Sequence, residues 1–397
     1  MTRRPLPSPT SGAIGLLVAV ATAATLMVAG SVAAARSTSG ADAALDRALR
    51  ELVAMPGGPP SATAIVQRGS ALRVHAFGVA AVGEPGRPRK SDYMRIASVA
   101  KAFSGAVALS LVDDGVLSLD DTIGQRLPSQ PGAWHAVTLR QLLGHTSGLP
   151  DFTESETFRR AVASSLTVAP PPAALLAFVA DEPLNFTPGT RYLYSNSDNI
   201  AVGLMVEAAT GTSYEEALRV QVLRPLRLAR TSLPAGPEVT APLIHGYDLA
   251  EDGTPEDLSE IFASGWAWAS GGIISTPAEL NRFIRGYVGG KLFGRKVRAQ
   301  QRRWVPGGGS EPTGPGANSA GLALFRYRTR CGTVLGHTGN TFGFTQFAAA
   351  TRDGRRSTTV SISLQRTQTG QGWPLAVFQA LRAAEERAVC AALAEAK

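Results

Sequence analysis

The chain is organised around the segment Arg95-Ile96-Ala97-Ser98-Val99-Ala100-Lys101-Ala102-Phe103-Ser104-Gly105. Apolar positions continue beyond it at helical spacing and end at Asp113-Asp114-Gly115, which predicts a helix opened by Ser98. Lys101 then lies one turn below Ser98 on the same face. A serine at this position is normally a helix cap. An ammonium buried beside a hydroxyl, however, is costly unless it has a use, and it can activate a serine nucleophile.

The 397-residue chain has the composition of a globular protein, with 44% hydrophobic and 18% charged residues. Its formal net charge is +8, and the arginines are scattered along the sequence with few aromatic neighbours. This distribution predicts a solvated basic surface and no nucleic-acid partner. The five histidines are dispersed, so neither a metal nor another cofactor is expected.

The N-terminus indicates export. Arg3 and Arg4 precede an apolar run from Ala13 to Ala35, which ends in small residues typical of a cleavage site. We therefore predict a signal peptide at residues 1–35 and a secreted or extracytoplasmic protein, with an uncleaved membrane anchor as the alternative. An oxidising compartment favours a disulfide between Cys331 and Cys390, and two unpaired buried thiols are the alternative.

Strand patterns lie at both ends of the chain and helical patterns in the middle. A helix is predicted over 41–54 and a closing helix over 375–396, and the predicted strands are 61–67, 72–80, 272–275, 333–336, 344–350 and 358–364. The simplest assembly is an α+β fold, with one antiparallel sheet flanked by the terminal helices and an all-helical lobe. Residues 36–397 form the domain, with a sheet lobe (41–97 and 262–397) and a helical lobe (98–261).

Three motifs follow in order: Ser98-x-x-Lys101, Tyr194-Ser195-Asn196 and His337-Thr338-Gly339. Acyl transfer at a serine needs a proton acceptor and an oxyanion hole. Lys101 and Tyr194 can form a coupled proton-transfer pair, because a neighbouring ammonium favours the phenolate.

The other motif residues would serve the substrate. We expect Asn196 to orient Lys101 and a substrate carbonyl, and Gly339 to let a substrate backbone approach the strand. The amides of Ser98 and Asn340 would form the oxyanion hole. The alternatives are a core tyrosine, a helix cap at Asn196 and an edge-strand histidine at His337. We also expect activity to fall below about pH 6 as His337 becomes charged.

These motifs resemble those of the serine β-lactamase and penicillin-binding protein superfamily, in the branch of class C β-lactamases, related esterases and secreted D-alanyl-D-alanine carboxypeptidases. The resemblance covers about residues 45–390 and extends to the segments 117–123, 139–150, 186–190 and 269–275. Ser197-Asp198-Asn199 also spells a motif of class A β-lactamases. The Tyr194 version is preferred because the surrounding Pro-Gly and downstream Gly-Gly stretches resemble this branch, and because the Ser197 version would need a Lys-Thr-Gly, which the chain lacks.

The resemblance implies that Ser98 is the acylated nucleophile and that Lys101 and Tyr194 share the general acid/base work, with either of the two as the base. Asn196, His337 and Thr338 would line the site, and Trp266 would form a wall. Arg326 or Arg328 would meet the carboxylate of D-Ala-D-Ala. The histidine in the third motif and the positions of Cys331 and Cys390 resemble the secreted carboxypeptidase members.

The leading interpretation is therefore a secreted D-alanyl-D-alanine carboxypeptidase that acts on peptidoglycan stem peptides through an acyl-enzyme. The alternatives are a β-lactamase or esterase that takes a small β-lactam or ester, and a non-catalytic binding protein on the same fold. No membrane contact is expected beyond the N-terminal segment.

Overall fold

The computed structural model describes residues 1–2, 39–250, 252–366 and 375–394. Apart from its first two residues, the predicted signal peptide lies outside the described residues. In the described part of the chain, no helix is both long enough and apolar enough to cross a membrane.

An antiparallel sheet of eight strands forms the centre of the fold. In chain order, the strands of the protein are β1 (Ser61–Arg68), β2 (Ala71–Gly78), β3 (Met94–Arg95), β4 (Tyr247–Leu249), β5 (Pro255–Asp257), β6 (Ile274–Ser275), β7 (Val305–Pro306), β8 (Ala317–Ala320), β9 (Phe325–Thr329), β10 (Gly332–Thr341), β11 (Phe344–Ala350) and β12 (Arg356–Ile362). The sheet has the order β2-β1-β12-β11-β10-β9-β8-β7, so strands from both ends of the chain pair with each other, as the sequence predicts. Two small sheets, β3–β6 and β4–β5, lie outside it.

Helices cover both faces of the sheet. They are α1 (39–54), α2 (Ala100–Asp113), α3 (Ile123–Arg126), α4 (Leu139–Leu143), α5 (Glu156–Ser164), α6 (Pro172–Ala177), α7 (Asn196–Thr210), α8 (Tyr214–Leu218), α9 (Arg224–Leu226), α10 (Trp268–Gly271), α11 (Pro277–Gly289), α12 (Arg295–Gln301) and α13 (Leu375–Leu393). Short 3₁₀ turns occur at Ala97–Val99, Gly132–Trp134, Phe152–Glu154 and Ser264–Trp266, and Arg219–Leu223 is a turn of π-helix.

The two terminal helices pack together on one face of the sheet. Leu45, Leu49 and Leu52 recur at helical spacing on α1 and are fully buried, in one cluster with Val377 and Leu381 of α13. Alternate residues of β1 reach the same cluster. The two terminal helices therefore pack on the sheet, as the sequence predicts.

The opposite face carries α11 and the helical lobe, which is built around α2. Every residue of α2 from Ala100 to Leu111 is buried, so this helix is covered on all sides. Its N-terminus meets β10 through the Ala97–Val99 turn. Ser98 therefore lies where the helical lobe contacts the sheet.

The lobe boundaries differ from those expected from the sequence. The segment 98–261 is not entirely helical, because it contains the hairpin β4–β5, and Tyr247 of that hairpin packs in the same cluster as the terminal helices. In the other direction, Trp266 and Trp268 belong to the core of the helical lobe, although the sequence places them in the sheet lobe. Each of the two hydrophobic clusters thus contains residues from both predicted lobes.

A disulfide joins Cys331 to Cys390, with Cα atoms 5.1 Å apart. It links the turn before β10 to α13. The strand that carries the third motif is thereby fixed to the terminal-helix layer.

Candidate active site

Ser98 lies on a sharp turn and not in the first turn of α2. The preceding residue, Ala97, has φ +51°, a left-handed conformation that is costly for alanine. No side chain caps α2 at its N-terminus, so the alternative of Ser98 as a helix cap is wrong. The Ser98 hydroxyl instead accepts a hydrogen bond from Lys101 Nζ at 3.1 Å.

The Lys101 ammonium is fully buried and has three acceptors. Besides Ser98 Oγ, it donates to Asn196 Oδ1 at 2.7 Å and to the Ser270 carbonyl at 2.8 Å. Burial lowers the pKa of Lys101 from 10.5 to about 7, although the carboxylates of Asp151 and Asp198 partly oppose the shift. A large fraction of Lys101 is therefore uncharged near neutral pH and able to accept a proton.

Tyr194 faces the same group from the helical lobe. Lys101 Nζ lies 5.0 Å from the centre of the Tyr194 ring. Burial raises the pKa of Tyr194 well above 10, and the nearby Ser98 hydroxyl opposes this only in part. The hydroxyl has no well-aligned hydrogen bond among the described residues. Desolvation therefore outweighs the effect of the neighbouring ammonium, so Tyr194 is a neutral phenol; the sequence left open which of Tyr194 and Lys101 takes the proton.

Asn196 is held in one orientation by Asp151. The Asp151 carboxylate accepts from the backbone N–H of Asn196 at 2.8 Å and from its Nδ2 at 2.9 Å. The amide oxygen is thereby turned towards Lys101, as the sequence predicts. Sequence reasoning missed Asp151, which orients Asn196 and lines the cavity, although it directly follows the segment 139–150 that carries the family resemblance.

A buried His–Asp pair packs against the ring of Tyr194. His145 Nδ1 lies 2.8 Å from Asp198 Oδ2, and the His145 and Tyr194 rings are 4.5 Å apart. Burial lowers the pKa of His145 to about 3 and raises the pKa of Asp198 well above its usual range. The Asp198 carboxyl group is thus engaged with His145, and the Ser197 hydroxyl donates a hydrogen bond to the Pro150 carbonyl. Ser197 and Asp198 therefore have structural contacts and do not form a class A motif.

The third motif lies on β10, but His337 and Thr338 do not line the cavity. His337 is fully buried, with Nδ1 2.5 Å from the Thr338 carbonyl oxygen and its ring against Phe325. Burial lowers the pKa of His337 to about 3. The expectation that His337 becomes charged near pH 6 is therefore wrong. The alternative of an edge-strand histidine agrees with the register, because β10 pairs with β9 only as far as Gly336 and from His337 onward it pairs with β11 alone.

The loop 307–316 covers Thr338. The Thr338 hydroxyl hydrogen-bonds to Ser310 Oγ and donates to the Pro312 carbonyl at 2.5 Å. The same loop also forms a wall of the cavity, to which Glu311 contributes.

Gly339 has a different role from the one expected. A Cβ atom at this position would lie 2.7 Å from the Ile96 carbonyl oxygen and 2.9 Å from the Ser98 nitrogen. Glycine is thus needed so that β10 can pack against the Ser98 turn. The room it makes is occupied by the protein and not by a substrate.

The cavity in front of Ser98 has a volume of about 950 Å³. Tyr194, Asn196, Asn340 and Trp266 line it, as the sequence predicts. The Trp266 indole is fixed by a 3.0 Å hydrogen bond to the Ser165 carbonyl.

Arg326 and Arg328 do not line this cavity. Arg326 stacks on Trp304 at 5.0 Å in a separate depression, so its assignment to a substrate carboxylate is wrong. The charged groups that line the Ser98 cavity are instead Asp151, Glu154, Arg159, Glu182 and Glu311. Among the described residues there is no cluster of three or more side chains suited to holding a metal ion.

The Beta-lactamase family model matches residues 45–382, and the chain therefore belongs to the β-lactamase family. It is a serine hydrolase of the superfamily that includes β-lactamases and penicillin-binding proteins.

Among its curated relatives is the D-alanyl-D-alanine-carboxypeptidase/endopeptidase AmpH of Escherichia coli K12, with 27% identity over 246 residues and 60% of each chain aligned. Penicillin-binding protein 4* of Bacillus subtilis is 29% identical over 171 residues, which span 41% of this chain and 35% of the relative. The matches thus span less than two thirds of either relative.

Solved structures share the fold over most of the chain. A D-stereospecific amidohydrolase from Streptomyces is similar with a TM-score of 0.72 and 27% identity, over 81% of this chain and 94% of that one. The D-amino acid amidase of Ochrobactrum anthropi has a TM-score of 0.74 at 22% identity, over 89% and 98% of the two chains.

Proposed function

We propose that Ser98 is the nucleophile of an acyl-transfer reaction, and the arrangement of Ser98, Lys101 and Tyr194 is the observation that carries this proposal. The neutral form of Lys101 takes the proton of Ser98 as Oγ attacks the substrate carbonyl. The amides of Ser98 and Asn340 face the oxygen that becomes negative. Tyr194, a neutral phenol, gives its proton to the leaving nitrogen and recovers one from Lys101.

Deacylation follows the same route in reverse. Water replaces the leaving group, loses a proton to the Lys101–Tyr194 pair and attacks the ester carbonyl. Ser98 Oγ then leaves with the returned proton. Asn196, held by Asp151, keeps Lys101 directed at Ser98 throughout the cycle.

The substrate that we propose first is a peptide ending in D-Ala-D-Ala, which makes the protein a D-alanyl-D-alanine carboxypeptidase acting outside the cytoplasm. The similarity to AmpH supports it. Arg159 is the cation in the cavity lining that can meet the terminal carboxylate, although Glu156 already accepts from its Nε at 3.3 Å.

A second candidate is hydrolysis of a D-amino acid amide that has a free amino group. Two observations favour it: the similarity to the Streptomyces amidohydrolase, and a cavity that carries four acidic side chains against one arginine. An ammonium on the substrate would be attracted to this lining, whereas a terminal carboxylate would be repelled by most of it.

The test compares three substrates at equal concentration: an N-acylated peptide ending in D-Ala-D-Ala, a D-amino acid amide and a chromogenic cephalosporin. Release of D-alanine from the first supports the carboxypeptidase, and turnover of the second alone supports the amidase. Rapid turnover of the third alone makes the protein a β-lactamase. Ser98→Ala must abolish each activity, and the absence of activity towards any acyl substrate would refute the proposal.

A further inference from the structure

A second depression lies near the start of β10, away from the Ser98 cavity. Its volume is about 1550 Å³, which is larger than a typical small-molecule pocket of roughly 300–1,000 Å³. Thr333 and Leu335, at the start of β10, line it, whereas Asn340 and Thr341 of the same strand line the Ser98 cavity. Five residues of extended strand separate the two sites by about 17 Å.

Arginines from distant parts of the sequence converge on this depression, which we call the basic depression. Its lining contains eight arginines but only one acidic residue, Asp353. Arg68 is neutralised by Asp42, and Arg355 lies 4.0 Å from Asp353. Within the described part of the chain, no carboxylate lies within ion-pair distance of the other six, which are Arg295, Arg298, Arg302, Arg326, Arg352 and Arg356. The sequence predicts a scattered basic surface, and the fold gathers part of it into one place.

Several of these arginines are fixed in place. Arg302 Nη2 donates to the Val288 carbonyl at 2.6 Å, and Arg356 Nη1 donates to the Leu393 carbonyl at 2.7 Å. The Arg326 guanidinium is stacked on Trp304. Ordering these side chains side by side brings like charges together, which costs folding free energy unless an anion neutralises them.

The arrangement also leaves donors unused. The Nε groups of Arg298 and Arg302 are buried without a hydrogen-bond partner among the described residues. Burial lowers the pKa of Arg302, and the neighbouring Arg352 and Arg298 lower it further. The exposed arginines Arg295, Arg352 and Arg355 stand at the rim, where an incoming anion would meet them first.

We infer that the basic depression binds a polyanion with closely spaced phosphate groups. Phosphate suits the site better than carboxylate, because one phosphate group can accept paired hydrogen bonds from several guanidinium groups at once. A polymer suits it better than a single phosphate, because the depression is large and open and its charges are spread across it. Such a polymer would hold the hydrolase near its substrate while the Ser98 cavity stays free.

The test measures binding of the intact protein to a fluorescent inorganic polyphosphate at about 150 mM salt. The variant Arg295→Gln/Arg352→Gln/Arg355→Gln removes three rim charges whose side chains make no buried hydrogen bond. The matched control, Arg47→Gln/Arg87→Gln/Arg387→Gln, removes the same charge from exposed positions outside the depression. Both variants should keep the wild-type rate on a small acyl substrate.

We expect the rim variant to bind roughly 10- to 50-fold more weakly and to lower the slope of log K against log salt by about 2. The control variant should bind within about twofold of the wild type. Equal weakening in both variants, or no binding of polyphosphate to the wild type, would overturn the inference. So would polyglutamate binding as tightly as polyphosphate, or orthophosphate displacing polyphosphate at equal phosphate concentration.

Discussion

Replacing Asp151 by asparagine should shift the pH dependence of the reaction without changing its chemistry. The Asp151 carboxylate stabilises the charged form of Lys101 and reaches it through the Asn196 amide. The two hydrogen bonds of 2.7 and 2.9 Å lie on either side of the bent path through the Asn196 amide, so we take the charges to be about 6 Å apart. At an effective dielectric constant of about 20, their attraction is about 2.8 kcal/mol, or about two pKa units. Because Asp151 also borders the open cavity, solvent should reduce the effect to about one unit.

The direction of the shift in the pH midpoint follows from the proton that Lys101 must accept. Only neutral Lys101 is active, so kcat/KM should rise with pH through a midpoint near 7 in the wild type. Asp151→Asn keeps an acceptor for Asn196 but removes the charge, and the midpoint should fall to about 6. At pH 6 the fraction of the plateau rate should increase about fivefold. Asp120→Asn, an exposed carboxylate elsewhere, is the control. A midpoint that stays or rises in Asp151→Asn would refute the role of Lys101 as base.

Three further changes test the structural account. Gly339→Ala should slow acylation by at least roughly tenfold, measured by stopped-flow, because its Cβ would lie 2.7 Å from the Ile96 carbonyl oxygen and displace the Ser98 turn; an unchanged acylation rate would contradict this packing. His337→Gln should leave the midpoint of the acid limb unchanged, because the pKa of His337 is about 3; a moved midpoint in the pH–rate profile would show that the histidine titrates in the active range. Replacing Cys331 and Cys390 by serine should lower the free energy of unfolding by about 4 kcal/mol in urea titrations, because their loop spans 59 residues; equal stability of wild type and variant would show that the disulfide does not stabilise the fold.

The sequence predicts the layers of the fold well where periodicity is strong. The helix predicted over 41–54 and the start of the closing helix at Leu375 coincide with α1 and α13, because apolar residues recur at helical spacing in both segments. Strands β8 and β9 escaped detection, since they are short and follow the Gly/Pro-rich loop 307–316. The hairpin β4–β5 was hidden within a segment that reads as mainly helical.

Local spacing brings Ser98 and Lys101 together, and the motif at Tyr194 identifies a partner. The sequence does not show which end of a strand faces the cavity. For this reason Arg326 was expected at the Ser98 cavity, whereas it lines the basic depression. The sequence also does not show how deeply a polar side chain is buried. His337 was expected to become charged below about pH 6, and the Lys101 ammonium was expected to favour the Tyr194 phenolate, whereas desolvation keeps both side chains neutral.

The most direct test of the central claim is the identification of the residue that becomes acylated. The intact protein would be mixed with a labelled penicillin, quenched in acid, digested and analysed by mass spectrometry. The account predicts a single adduct on Ser98, lost in Ser98→Ala and formed far more slowly in Lys101→Met. An adduct on another residue, or an undiminished rate in Lys101→Met, would contradict it.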